Sequence, residues 1–284
     1  MCSTNNSLSS RSLRVSRPLV LAVGLLPVAV AFLGAQTLPP PDRFDRVLAR
    51  HVHDGLVDYE GLKADRADLD RYLERLGEVA PMDLTHATRD DRLAFWINAY
   101  NACVLRLVID HYPLAGPQRA NGASEKHPAS PPSIRQIPHT WTAPFCRVAR
   151  RDRSLDGIES GILRPIGDPR IHFALSCAAR GCPALADQAY RADRLDEQLD
   201  RAVRRFVADP RQCHLEPGEP PVLHINKFLD WYKEDFGGAT GLVAFLRRYA
   251  PRRELALLRP GAVRVEYLDF DWRLNEAEVA DSAR

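Results

Sequence analysis

The segment RIHFALSCAARGCPAL, residues 170–185, holds the densest reactive chemistry in the chain. It places His172, Ser176, Cys177, Arg180 and Cys182 within eleven residues. A thiolate activated by an imidazole attacks carbonyl carbon, so Cys177 or Cys182 with His172 as base predicts a hydrolase or acyl transferase. The same two cysteines can instead cycle between dithiol and disulfide, although C-x4-C is not the C-x-x-C of thioredoxin-like proteins. They can close a short structural bridge, natural in an exported protein. With His172 they offer only three zinc ligands in a spacing that fits no common zinc motif, so no metal is expected. Alternation predicts a strand over 171–175, which sets His172 and Cys177 on opposite faces unless the turn at 176–177 redirects the sulfur. Arg180 is placed to lower a thiol pKa or hold an anion.

Two further segments supply polar groups from apolar surroundings. AFWINAYNACVL, residues 94–105, reads as a buried helix with Asn98 and Asn101 on one face. A buried carboxamide without partners costs about 1–3 kcal/mol, so both need specific ones. They either pin the backbone of a neighbouring loop or line a polar site, where they would orient a base or polarise a carbonyl. Cys103 on the same helix reads as an inert core thiol. SLDGIESGILR, residues 154–164, is a helix capped by Ser154. Its Glu159 sits beside the apolar face as an orienter or base, or else is solvated or paired with Arg164. His224 is a spare candidate base. Trp231, Tyr232 and Phe236 read as core.

The elements that must carry these groups follow from periodicity. Helices are predicted from Asp42 (with Phe44, Val47, Leu48 and His51 inward), over 63–77, from Thr88 to Tyr112, and near 155–164, 193–208, 226–236 and 240–250. Pro81 is expected to end the region after the second helix. Short strands are predicted at 145–149, 171–175, 221–225 and 263–268. The Pro-, Ser- and Gly-rich stretch 114–133 reads as an exposed loop. The fold class is α+β, a helix-rich single domain around a small mixed or antiparallel sheet.

The chain has 284 residues, 45% hydrophobic and 27% charged, which excludes wholesale disorder and a polytopic membrane protein. Residues 1–17 carry Arg11, Arg14 and Arg17 and no acid, and 19–35 are apolar. This is the pattern of a secretory signal at 1–35, with an uncleaved membrane anchor as the rival. A spacer at 36–43 would then lead into a domain at 44–275, with a frayed tail at 276–284. The chain is therefore expected to be exported, periplasmic or secreted, touching membrane only if residues 19–35 remain as a tether. Loss of the three leader arginines takes the formal charge from +2 to −1, so no nucleic-acid partner is expected. Five cysteines remain (103, 146, 177, 182 and 213), an odd number, so at least one lies outside any internal bridge. No phosphate loop or dinucleotide fingerprint calls for a cofactor. The partner expected is a small-molecule or peptide substrate.

Several strings in order resemble one family. VDYEGLK (57–63), FWINAYNACVL, SLDGIESGILR, DPRIHFALSCAARGCPAL, LDEQLDRAVRRF, WYKEDF (231–236) and DFDWRLN (269–275) are similar to the "domain of unknown function 547" family (DUF547). The resemblance implies a widespread exported bacterial domain, also found as a C-terminal module in plant proteins. It implies Asn98, Asn101, Glu159, His172, Cys177 and Cys182 as the recurrent polar residues. Ser160 stands where the family pattern has His after the Glu. If that His is catalytic elsewhere, activity is lost here. The 114–133 loop is longer than the family's usual one. The reaction expected is a thiol-dependent hydrolysis or acyl transfer. The alternatives are thiol–disulfide redox chemistry at Cys177 and Cys182, or a non-catalytic envelope binding module with a structural disulfide.

Overall fold

A computed structural model describes residues 38–114, 131–251, 258–259 and 261–278. The leader and its cleavage point, most of the 114–133 loop and the end of the tail lie outside the described residues. Helix α1 (Asp42–His51) is followed by a hairpin of β1 (Val52–His53) and β2 (Leu56–Val57), then α2 (Tyr59–Ala64), α3 (Ala67–Glu78), α4 (Pro81–His86) and the long α5 (Arg89–His111). A second hairpin, β3 (Cys146–Val148) with β4 (Arg151–Arg153), leads into α6 (Leu155–Ile158). After α7 (Leu195–Ala208) come β5 (Cys213–Glu216), β6 (Val222–Asn226), α8 (Phe228–Trp231), α9 (Gly238–Arg247) and β7 (Arg264–Leu268). The largest sheet runs β5–β6–β7, antiparallel then parallel, so the fold is α+β with a mixed sheet.

Most predicted elements stand. Helix α1 buries Phe44, Val47, Leu48 and His51, and α3 buries Leu69, Tyr72, Leu73 and Leu76. The Thr88 side chain accepts the N–H of Asp91 and so caps α5. Helix α5 is apolar and long enough to pass for a membrane span, yet 16 of its 23 residues are buried within the protein. An all-round apolar helix of this kind is the centre of a domain.

Others are corrected. Pro81 opens a helix instead of ending one, since its fixed φ and missing N–H suit the first helical position. The predicted strand at 171–175 is a 3-10 turn over Pro169–Phe173. Pro169 sets the first position, and the Asp168 carboxylate accepts the N–H of Arg170. Residues 171–175 are all buried, and a short buried run cannot be assigned from periodicity alone. The 226–236 helix is two short pieces, because α8 ends at Trp231 and a separate turn spans Lys233–Phe236. The chain's contacts also continue past the expected boundary at 275. Glu276 bridges Val57, and the N–H of Ala277 donates to Val57 O at 2.9 Å.

Two apolar clusters make the core. The first gathers α1–α6 and the start of α7, through Leu195 and Leu199. The second gathers Val203 and Phe206 of α7 with the sheet, α8 and α9. The turn at 169–173 crosses between them: Ile171 belongs to the first and Phe173 to the second. His172 is the polar residue left at that seam.

Candidate functional site

The two asparagines of α5 act as backbone clamps. Asn98 donates through Nδ2 to Tyr190 O and accepts the N–H of Tyr190 on Oδ1, both at 2.8 Å. Asn101 donates to Ala174 O at 2.9 Å and accepts the N–H of Ser176 at 3.0 Å. Each carboxamide pairs with a loop as a neighbouring strand would. Of the two readings open from the sequence, pinning is therefore the one observed. Asn101 fixes the exit of the His172 turn, and Asn98 holds the 190 region.

His172 itself meets groups from three elements. Its Nε2 lies 2.8 Å from Asp235 Oδ2. The same carboxylate takes a two-pronged bond from Arg164, at 2.7 Å from both Nε and Nη2. Tyr232 stacks on the imidazole with ring centroids 4.1 Å apart. On the opposite side, Nδ1 stands 3.8 Å from Glu159 Oε1 and has no hydrogen-bond partner. The imidazole is 1% exposed, whereas Asp235 and Arg164 are 24% and 33% exposed. The cluster thus reaches solvent through the Asp235–Arg164 edge.

Local chain geometry explains each placement. After α6, capped by Ser154 accepting the N–H of Gly157, the helix widens into a π turn over Glu159–Leu163. The N–H of Arg164 donates to Glu159 O, five residues back. Such π turns are rare and frequent at functional sites. This one sends Glu159 inward and Arg164 toward Asp235. Asp235 rides on the Lys233–Phe236 turn, which stops at Gly237 with φ +85°, a conformation suited to glycine.

The electrostatics separate the three titrating groups. Arg164 bonded to Asp235 holds that carboxyl below its ordinary value. Burial lowers His172 to about 4, against the opposing pull of Asp235. Burial also raises Glu159, against the opposing pull of the Tyr232 hydroxyl and of Arg164. With Asp235 ionised and able only to accept, the imidazole proton belongs on Nε2. Nδ1 then presents a bare lone pair toward Glu159. Groups whose surroundings push their pKa values apart are the mark of an acid–base pair.

The cysteines are arranged otherwise. Cys177 and Cys182 form a disulfide, as do Cys103 and Cys146. The expectation of an inert thiol at Cys103 is thereby corrected: α5 is stapled to β3. In the bridged form neither Cys177 nor Cys182 is a thiolate, the species a nucleophilic role requires. The bridged loop is fixed to the 271–274 segment by Arg180 N–H to Arg273 O and Gly181 N–H to Asp271 O, both 2.8 Å. A Cβ on Gly181 would meet Asp271 N at 2.8 Å, so the approach needs glycine. The Arg180 side chain reaches the carbonyls of Leu274 and Glu276, not a sulfur-bound anion. His224 is far from this chemistry in role: it pairs with Glu216 at 3.0 Å and stacks on His214 on the sheet. Among the described residues, no group of three or more His, Cys, Asp or Glu side chains is placed to hold a metal ion.

Of the six residues singled out from the sequence, the structure brings His172 and Glu159 together. Asn101 supports them through backbone, while Asn98 serves another loop. Sequence reasoning missed Asp235 and Tyr232. Arg164, one of the alternatives left open as a partner for Glu159, pairs with Asp235 instead. The available signal was WYKEDF, in which Tyr232 and Asp235 stand three apart, the spacing of one helical face. Ser160 is exposed, outside the buried cluster.

Residues 84–207 match the family described as "Protein of unknown function, DUF547". That span includes the strings around Asn98, Glu159, His172 and the Cys177–Cys182 loop, so the resemblance holds over them. The 57–63, 231–236 and 269–275 strings lie outside the match. The structure ties the first to the last, since Tyr59 donates its hydroxyl proton to Asn275 Oδ1 at 2.6 Å. No curated protein and no solved structure matches the chain.

Proposed function

For a chain that carries a DUF547 region, we propose an enzyme of hydrolase or acyl-transfer type, acting on a small-molecule or peptide acyl compound, with His172 as general base. Asp235 holds the imidazole in the tautomer that leaves Nδ1 bare. Glu159 is the acid on the facing side, and Arg164 steadies Asp235 and offers positive charge at the open edge. The observation that carries this reading is the imidazole nitrogen at the seam of two cores, without a bonded partner and facing a carboxyl of raised pKa. A thiol nucleophile at Cys177 or Cys182 enters the scheme only after their bridge opens, so a water or substrate hydroxyl is the nucleophile in the bridged protein. Two disulfides support an oxidising, exported setting for the domain.

The test is hydrolysis of an activated acyl ester and of a peptide amide panel by wild type, His172→Gln, Glu159→Gln and the Cys177→Ser/Cys182→Ser pair. General acid–base groups contribute about 10²–10⁴-fold, so the His172 variant is expected to lose that much while keeping its circular dichroism spectrum. The rate should fall at low pH as His172 protonates near 4, and fall at high pH as Glu159 ionises. A folded His172→Gln protein that turns over at the wild-type rate refutes the reading. Loss confined to the cysteine variant moves the nucleophile back to a thiol.

One observation favours a second reading, a non-catalytic binding module with Cys177–Cys182 as a structural bridge. Trp231 is 47% exposed and stacks with Phe270 and Trp272, which the bridged loop holds in place. Trp231 thus caps an apolar patch with the partly buried Phe270 and Trp272, and contiguous apolar patches mark interaction sites where singly scattered apolar residues do not.

A further inference from the structure

The Cys177–Cys182 bridge is asymmetric. Cys182 is buried at 5% exposure, whereas Cys177 is half-buried. The backbone N–H of Cys177 donates to Cys182 Sγ at 3.1 Å. That hydrogen bond gains most when the sulfur is charged, since bonds to ionised acceptors are about twice as strong. It therefore stabilises Cys182 as a leaving thiolate, and a better-stabilised leaving group speeds exchange. Contacts besides the bridge also hold the loop. Arg180 and Gly181 bond to the 271–273 backbone, Asn226 Nδ2 donates to Gly181 O at 3.0 Å, and Asn101 holds the N–H of Ser176. An opened Cys182 would stay beneath the same N–H. Cys103 and Cys146 supply an internal contrast, because both are buried, at 0% and 5% exposure, between α5 and β3.

We propose that Cys177–Cys182 is an exchangeable disulfide, attacked at Cys177 Sγ by an alkyl thiol, with Cys182 as the leaving thiolate. The attacking thiolate forms a bond to Cys177 Sγ, the Cys177–Cys182 bond breaks, and its electron pair passes to Cys182 Sγ. A second thiol then attacks the incoming group's sulfur. It forms a disulfide with that group and releases Cys177 as thiolate. The thiol partner is oxidised by two electrons and the domain is reduced by two. The two partner protons finish on Cys177 and Cys182. This activity is independent of proton transfer at His172.

The test uses the full chain with both disulfides formed. It is exposed separately to reduced glutathione and to a single-cysteine peptide, quenched by alkylation and mapped by mass spectrometry. Cys177–Cys182 is expected to open at least about tenfold faster than Cys103–Cys146, with the mixed disulfide on Cys177. In the wild-type chain the trapped adduct on Cys177, with Cys182 alkylated as the free thiol, identifies the sulfur attacked. Reaction with both thiols marks a general exchange site, and reaction with the peptide alone marks a polypeptide partner. Equal opening of the two bridges, or an adduct on Cys182, overturns the proposal. Exchange is read from the bridge itself and not from ester or amide turnover, so a failed hydrolysis test leaves this result standing.

Discussion

The depressed His172 pKa makes folding stability depend on pH in a window that few other groups occupy. The imidazole is 1% exposed, and burial takes it from the ordinary 6.5 to about 4 in the folded chain. Between those values the unfolded chain binds a proton that the folded chain refuses. Stability from this group is therefore present above the unfolded pKa and lost as pH falls toward the folded one. Integrating the two titrations gives a penalty of about 0.2 kcal/mol near pH 7 and about 2 kcal/mol near pH 5. His51, also lowered by burial, adds a loss of the same sign. Glu159, raised by burial, works the opposite way. Asp235 is held below its ordinary 3.8, so its contribution fades at more acid pH. These three remain in a His172→Phe variant, which keeps a ring against Tyr232. Urea unfolding of both proteins at about pH 7 and about pH 5 should show wild type losing about 2 kcal/mol more than the variant. An equal loss in the two refutes the reasoning. So does a His172 titration near 6.5 by nuclear magnetic resonance.

Other expectations follow from contacts already described. Asn101→Ala leaves Ala174 O and the N–H of Ser176 buried without their partner, so it should cost about 3 kcal/mol by urea denaturation with an unchanged m value. A loss under about 1 kcal/mol would mean that water replaces the clamp. The two disulfides should differ as their loops do. Cys103–Cys146 closes 43 residues and Cys177–Cys182 only 5, so chain entropy assigns them about 4 and about 2 kcal/mol. Paired Cys-to-Ala variants compared by calorimetry check that order.

Much of the architecture was legible because it rests on local rules. The buried stripe of α1, the helices α3 and α7, the start of α5 at Thr88 and its all-round apolar character are written in spacing and composition, and each formed within a few residues of where it was expected. The strand over 171–175 was not legible, because five successive buried residues carry no period to separate strand from turn. Proline at 169 was the local sign against it.

The site divides along the same line. By itself the sequence marked Glu159, His172 and the two cysteines of the 177–182 loop as unusual, since polar and reactive groups within apolar runs must have partners. It also marked Asn98 and Asn101, and limited them to two uses. Only the tertiary structure decided which partners they found. Asp235 lies 63 residues from His172, and its carboxylate is drawn there by packing of the second core against the first. Cys103 meets Cys146 across 43 residues for the same reason. Spacing along the chain fixes what shares a helix face. Proximity between distant segments, and the desolvation that sets a buried pKa, exist only once the cores have closed.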